Sequence, residues 1–136
     1  MTAARYVLDT NILTALLRKE ETATWRVQQA LHANAEFLMC PVVFYEVYRG
    51  LLHRDARRQQ GFFLQFTASF TWDDLAREDW EEAAQLWASL RRGGHPIEDD
   101  ADLLIGTFAA RRNAIVVTDN IKHFTPLGVP VENWRR

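Results

Sequence analysis

Four carboxylates in this sequence adjoin apolar runs, where a charged side chain is unexpected: Asp9, Glu46, Asp102 and Asp119. Two follow apolar runs of strand length, and two lie near the start of apolar stretches with helical spacing. Bringing such groups together raises their pKa values through mutual repulsion. A divalent cation removes that repulsion, and an all-oxygen set without a nearby histidine or cysteine suits Mg²⁺ or Mn²⁺ better than zinc. Because such a cation activates water and neutralises a phosphodiester, these residues indicate hydrolysis of a nucleic acid backbone.

Two of these positions also have a purely structural interpretation. In this interpretation, Asp9 or Thr10 does no more than cap the N-terminus of the helix that follows. Glu46 is surrounded by apolar side chains, where a carboxylate is costly unless a positive or hydrogen-bonding group meets it, and Arg49 is a candidate for that partner. These segments alone leave both alternatives open.

Apolar periodicity and turn residues predict the elements that position the carboxylates. Strands are expected at residues 6–8, 36–40, 70–72, 114–118 and, at an edge, 129–131. Helices are expected at residues 12–17, 21–33, 41–53, 79–90 and 98–110, with an aromatic-rich helix over 55–69 that is broken or kinked near Gly61. The alternation of strands and helices predicts an α/β fold with a mainly parallel sheet and helices on both faces.

The carboxyl ends of parallel strands lie at one edge of their sheet, and ligands bind beyond that edge. Asp9 and Asp119 directly follow strands, so we expect both at this edge. The helices that contain Glu46 and Asp102 begin there, which brings their early residues close to it. The fold class therefore predicts that the four carboxylates approach one another.

Length and composition set broad limits on the protein. A chain of 136 residues, 48% of them hydrophobic, can bury a substantial core, so one domain over residues 1–136 is expected. The single cysteine, Cys40, excludes an intrachain disulfide and a multi-cysteine zinc site. Because no apolar run suits a leader sequence or a membrane span, we expect a soluble, cytoplasmic protein without membrane association.

The charged residues do not by themselves identify a partner. The formal net charge of −2 provides no overall basic field for nucleic acid. Lys19 and Lys122 are the only lysines among sixteen basic residues, so fourteen are arginines. The planar arginine fork suits phosphate and carboxylate, but arginines that end solvated helices would produce the same pattern.

An ordered set of motifs resembles the PIN-domain family, and within it the VapC-like toxin ribonucleases of toxin–antitoxin modules. The matching segments are residues 7–11 (VLDTN), 46–47 with Gly50, 94–97 (GHPI), 102–106 (DLLIG), 116–120 (VVTDN) and 122–124 (KHF). Each segment is weak alone, but their shared order and spacing span nearly the whole chain. The resemblance implies a three-layer α/β/α fold with a short central sheet. It also implies an endoribonuclease that depends on Mg²⁺ or Mn²⁺, is silenced by a cognate antitoxin protein and is usually a homodimer.

The resemblance also implies roles for residues at the matching positions. Asp9 and Asp102 would be the main metal ligands. Glu46 would bind a second ion or act as the base that orients water. Thr10 and Asn11 would hold Asp9 and contact water or phosphate.

The fourth position of the implied site stays open. Thr118 is followed by both Asp119 and Asn120; Asn120 matches the family motif better, whereas Asp119 is the nearest carboxylate. Asp99, one helical turn before Asp102, would be an outer member of the site.

Two rival functions are weaker. A phosphatase with an aspartyl nucleophile would have a second aspartate where Asn11 stands, and a catalytically silent module that binds RNA or protein would not need three intact acidic residues. The histidines have no partner arrangement for nucleophilic catalysis, and we expect structural roles in surface contexts for His32, His53, His95 and His123.

Overall fold

A computed structural model describes residues 3–136, so the first two residues of the expected domain lie outside the described part. In that part, five strands form one sheet: β1 (Arg5–Leu8), β2 (Glu36–Met39), β3 (Thr71–Trp72), β4 (Ile115–Val117) and β5 (Val131–Glu132). All the strand pairs are parallel, and the strand order is β3-β2-β1-β4-β5. This topology confirms the α/β fold with a parallel sheet.

The described chain also contains seven α-helices: α1 (Thr10–Leu17), α2 (Glu21–His32), α3 (Pro41–His53), α4 (Arg57–Thr67), α5 (Arg77–Arg92), α6 (Asp100–Arg111) and α7 (Ile121–Phe124). A 3₁₀ turn, Thr125–Leu127, follows α7. Successive residues of β1 and β4, which point to opposite faces of the sheet, are all buried: Val7, Leu8, Val116 and Val117. Both faces of the sheet are therefore covered, as a three-layer α/β/α fold requires.

The centre of the sheet contains the point at which the strand order reverses. The chain builds β1, β2 and β3 in one direction and then returns to add β4 on the other side of β1. Leu8 pairs with Val117, and the backbone N–H of Asp9 donates to the carbonyl of Val117 at 2.9 Å. The residues that follow β1 and β4 therefore emerge side by side at a topological switch point, where ligands bind in open α/β sheets.

Two predictions about elements need correction. The break near Gly61 is wrong, because α4 runs without interruption from Arg57 to Thr67. A single glycine costs a helix only about 1 kcal/mol, which the burial of Phe63 on the same helix offsets. The edge strand expected at 129–131 forms two residues later, as β5.

No helix within residues 3–136 is long and apolar enough to cross a membrane.

Candidate active site

Asp9 is delivered to the edge of the sheet by β1 and is only 5% exposed. It is the N-cap residue of α1, and its Oδ1 accepts a hydrogen bond from the backbone N–H of Thr10 at 2.8 Å. The capping interpretation therefore describes the local geometry correctly. However, Oδ2 is bound across the switch point by the Thr118 hydroxyl, which donates at 2.8 Å, so Asp9 does more than begin a helix.

Thr118 and Asn11 join the two strand ends around Asp9. The fully buried Thr118 hydroxyl accepts from the backbone N–H of Asn120 at 3.0 Å and from Asn11 Nδ2 at 3.3 Å. Asn11 Nδ2 also lies 3.4 Å from Asp9 Oδ2, and Asn11 Oδ1 accepts from the backbone N–H of Asp119 at 3.0 Å. This network holds the Asp9 carboxylate in one orientation.

Glu46 reaches the same region from the second turn of α3. Its half-buried carboxylate accepts a hydrogen bond from the Thr10 hydroxyl at 3.0 Å through Oε1. The alternative in which Arg49 pairs with Glu46 is not found, because the Arg49 guanidinium lies 4.8 Å from the centre of the Tyr45 ring and influences Glu46 only through space. Thr10 therefore links Glu46 to the residue next to Asp9.

Asp102 lies in the first turn of α6 and has a histidine partner. Its Oδ2 lies 2.9 Å from His123 Nδ1, and the two side chains are 13% and 57% exposed, respectively. The expectation that no histidine lies near the carboxylates is wrong, although His123 does lie at the surface as expected.

The remaining acidic candidates have partners of their own. Asp99 is exposed and caps α6 by accepting from the backbone N–H of Ala101 at 2.9 Å. Asp119 Oδ1 accepts from Asn133 at 3.0 Å, and Asp119 Oδ2 accepts from Arg135 at 3.1 Å. The side chain of Asp119 is thus held by the C-terminal segment, and its catalytic role stays a prediction.

Burial and mutual repulsion act together on the three central carboxylates. Burial is the main factor that raises the pKa of Asp9, and the charges of Asp102 and Asp99 raise it further despite the hydrogen bonds from Thr118 and Thr10. Burial likewise raises the pKa of Glu46, with Asp9 and Asp99 adding to the effect. Burial, Asp99 and Glu46 raise the pKa of Asp102 against the opposing effect of His123.

The charge of one central carboxylate therefore raises the pKa of another in each case, although the three come from distant parts of the chain. Within the described residues, neither Asp9 nor Glu46 forms an ion pair with arginine or lysine, and Asp102 pairs only with His123. The result is a concentration of negative charge that no arginine or lysine ion pair neutralises within the described residues.

A cavity of about 630 Å³ opens beside Asp102. Its lining combines four acidic residues with Lys122 and His123, and the full set is Pro96, Ile97, Glu98, Asp99, Asp100, Asp102, Lys122, His123 and Pro126. Between residues 3 and 136, no three His, Cys, Asp or Glu side chains are grouped as a ready metal site. The carboxylates supply negative charge and oxygen donors at this edge of the sheet, but the described residues do not form a closed coordination shell.

Comparison with known proteins identifies the fold family. A family model described as the PIN domain matches residues 6–125. This chain belongs to the PIN-domain family. The PIN domain is 26% identical to ribonuclease VapC19 of Mycobacterium tuberculosis over 118 residues, which cover 87% of this chain and 90% of that protein.

Solved structures similar to this PIN domain include toxin–antitoxin complexes. VapBC2 from Rickettsia felis, bound to a DNA fragment from its promoter, has a TM-score of 0.82 at 26% identity and covers 96% of this chain and 98% of the other. VapBC-5 from Mycobacterium tuberculosis has a TM-score of 0.69 at 25% identity, with 98% and 99% covered.

Sequence reasoning missed two features of this PIN domain. The contact of His123 with Asp102 was signalled only by the position of His123 three residues after the Asn120 motif, at the same sheet edge. The binding of Asp119 by Asn133 and Arg135 had no local signal, because β5 and the segment after it pack against β4 only in the folded chain.

Proposed function

We propose that this single PIN domain is a metal-dependent endoribonuclease that acts as the toxin of a toxin–antitoxin module. One observation carries the proposal: Asp9, Glu46 and Asp102 come from three separate elements, raise one another's pKa values and have no arginine or lysine ion pair in the described part of the chain. Such a cluster lowers the stability of the fold. Carboxylates with shifted pKa values are typical of functional sites, so the cluster indicates a functional site.

The donor chemistry of the cluster fits Mg²⁺, with Mn²⁺ as an alternative. All the candidate ligand atoms are carboxylate oxygens, which these hard cations prefer, and their uncompensated charge favours a cation. Asp9 and Asp102 would be the main ligands, and Glu46 would bind a second ion or act as the base that orients water. When bound, the ion would lower the pKa of a water molecule and stabilise negative charge on the phosphodiester.

The protein's own groups would orient the reactants. Glu46 Oε1 is occupied by the Thr10 hydroxyl, so Oε2 is the atom available to accept a proton from the attacking water. Its raised pKa moves Glu46 towards the range in which a carboxylate is an effective general base. Thr118 and Asn11 would keep the Asp9 carboxylate from turning away as substrate enters.

Different observations support the roles that we propose for the outer residues of the site. Asn120 follows the buried Thr118 and lines a second cavity, together with Asp119 and Lys122. We propose Asn120 as a substrate contact. Asp119 would act in catalysis by keeping the Asn120 segment in place, and Asp99 as an outer charge that attracts the cation.

The proposed partners are an RNA substrate, a cognate antitoxin protein and a second copy of the chain in the cytoplasm. The similarity to ribonuclease VapC19 supports RNA as the substrate, and the similarity to VapBC2 and VapBC-5 complexes supports an antitoxin. An exposed apolar groove between α5 and α6, lined mainly by Trp80, Trp87, Leu103 and Leu104, is consistent with a protein interface.

The substitution Asp9→Asn tests the enzymatic proposal, because it removes the charge and keeps the side-chain shape. Wild type with Mg²⁺ should cleave members of a panel of structured RNAs, and a chelator should abolish cleavage. The variant should be at least about a hundredfold slower, since losing several kcal/mol of charge stabilisation has that effect. RNA end sequencing measures the cleavage, and circular dichroism checks the fold.

The exposed helical carboxylate Glu78 provides the control for this experiment. Glu78→Gln should cleave as the wild type does. Equal cleavage by wild type and Asp9→Asn would show that the proposed site is wrong. RNA retention without cleavage by either protein would favour the silent binding module.

A growth assay tests the toxin role separately. Induction of the wild-type gene should arrest growth, co-expression of a neighbouring antitoxin gene should restore it, and Asp9→Asn should be harmless. Normal growth with confirmed wild-type expression would contradict the toxin role.

A further inference from the structure

His123 approaches Asp102 because α7 packs closely against α6. Phe124, next to His123, is completely buried, and Leu127 of the 3₁₀ turn packs over Gly106. A Cβ atom at Gly106 would collide with the Leu127 side chain. Since Gly106 lies one turn after Asp102, the missing side chain allows the α7 segment to lie beside the face of α6 that carries the carboxylate.

The contact pairs His123 Nδ1 with Asp102 Oδ2 at 2.9 Å. Because an ionised carboxylate only accepts hydrogen bonds, His123 Nδ1–H is the donor when Asp102 is ionised. Within the described residues, the hydrogen bond engages Oδ2 of Asp102 and leaves Oδ1 without a protein donor. One oxygen is therefore oriented by the protein, and the other can bind a ligand.

We propose that His123 is a positioning residue, which donates its Nδ1–H to Asp102 and orients that carboxylate for a divalent cation. The inference rests on the proposed function for its metal, and it assigns His123 a role beyond the acidic residues. His123 is more exposed than Asp102 and lines both the acidic cavity and the neighbouring cavity that contains Asn120 and Arg136. It therefore orients Asp102 from the rim, without blocking the cavity.

Three variants separate positioning from a merely structural role. His123→Phe keeps a ring and removes the donor, whereas His123→Asn places an amide N–H near the position of Nδ1. His32→Phe alters an exposed histidine at the end of α2 and serves as the matched control. Circular dichroism establishes that each variant is folded.

Titration calorimetry with Mn²⁺ alone measures the effect without requiring RNA cleavage. His123→Phe should weaken Mn²⁺ binding roughly 10- to 100-fold, the usual effect of removing a group that orients a metal ligand. His123→Asn should recover most of the affinity, and His32→Phe should bind as the wild type does. In RNA cleavage, kcat should follow the same order, whereas a structural defect would not be rescued by asparagine.

Nitrogen-15 NMR of the wild-type ring tests the hydrogen bond without any substitution. The expected result is a proton on His123 Nδ1, in contact with Asp102. A proton on Nε2 alone, unchanged Mn²⁺ affinity in His123→Phe, or no Mn²⁺ binding by the wild type would each overturn the inference. A wild type that binds Mn²⁺ but does not cleave RNA would contradict the proposed function and leave the positioning role supported.

Discussion

At the scale of a residue, two buried threonines differ in the hydrogen bonds that their hydroxyl groups form. The Thr118 hydroxyl donates to Asp9 and accepts from Asn120 and Asn11. The Thr107 hydroxyl, on α6, is equally buried and has no hydrogen-bond partner within the described residues. Thr118 therefore connects the switch point, whereas Thr107 only fills space in the core.

We expect Thr118→Val to lower the free energy of unfolding by about 1–3 kcal/mol, because the buried Asp9 carboxylate loses a donor and the Asn120 N–H loses its acceptor. RNA cleavage should fall as well, since Asp9 loses its orientation. Thr107→Val makes the same replacement of a hydroxyl by a methyl group. It should lower the free energy of unfolding by less than about 0.5 kcal/mol, or raise it. Urea denaturation measures both, and equal losses in the two variants would contradict this account.

At the scale of elements, close packing of α7 on α6 brings His123 to Asp102. Gly106 makes that approach possible, whereas Gly61 on α4 has no atom within 4 Å of the position of an added Cβ. The two glycines therefore have opposite consequences. One is required by packing between elements, and the other only weakens its own helix.

Gly106→Ala should destabilise the protein by about 1–3 kcal/mol, because the new methyl group forces Leu127 and α7 away from α6. Mn²⁺ binding should weaken with it, as His123 loses contact with Asp102. Gly61→Ala should stabilise the protein by up to about 1 kcal/mol through helix propensity. Thermal unfolding followed by circular dichroism compares the two, and a stabilising Gly106→Ala would be inconsistent with the close packing.

At the scale of the whole molecule, several arginines join distant elements and are not available to nucleic acid. Arg112 donates to both oxygens of the buried Asp79 and also to Asp73, and Arg111 donates to Asp79 at 2.7 Å. Arg135 bridges Glu20 and Asp119. Part of the arginine bias therefore reflects tertiary ion pairs.

The Asp79 network predicts how stability depends on pH. Hydrogen bonds from Arg112 hold the pKa of Asp79 at about 2, well below its ordinary value. Because the folded state binds this proton less tightly than the unfolded state, the stabilisation is present above about pH 4 and is lost as the pH falls towards 2. It amounts to on the order of 2 kcal/mol.

Asp79→Asn should therefore be less stable than the wild type at pH 7, with the difference shrinking towards pH 2. Glu81→Gln, which breaks the exposed pair with Arg77, should change stability by less than about 1 kcal/mol at either pH. Urea denaturation at a series of pH values provides the measurement. A difference between wild type and Asp79→Asn that is constant with pH would show that the ionised carboxylate is not responsible.

The sequence by itself determined the class of fold and the edge of the sheet at which the key residues lie. Alternating periodicity specified strands and helices, and parallel connection placed Asp9 and Thr118 at the same edge, where the structure joins them by a hydrogen bond. These features follow from backbone direction and local pattern, which a short segment encodes.

Only the tertiary structure decided which side chains meet. Glu46 is bound by Thr10 and not by Arg49, His123 turns to Asp102 across 21 positions, and Asp119 turns to Arg135. Each of these contacts depends on how two elements pack. A methyl group on Gly106, for example, would alter the contact of His123 with Asp102. The local sequence directs a side chain to an edge or a face, but its partner there is set by residues that approach from another part of the chain.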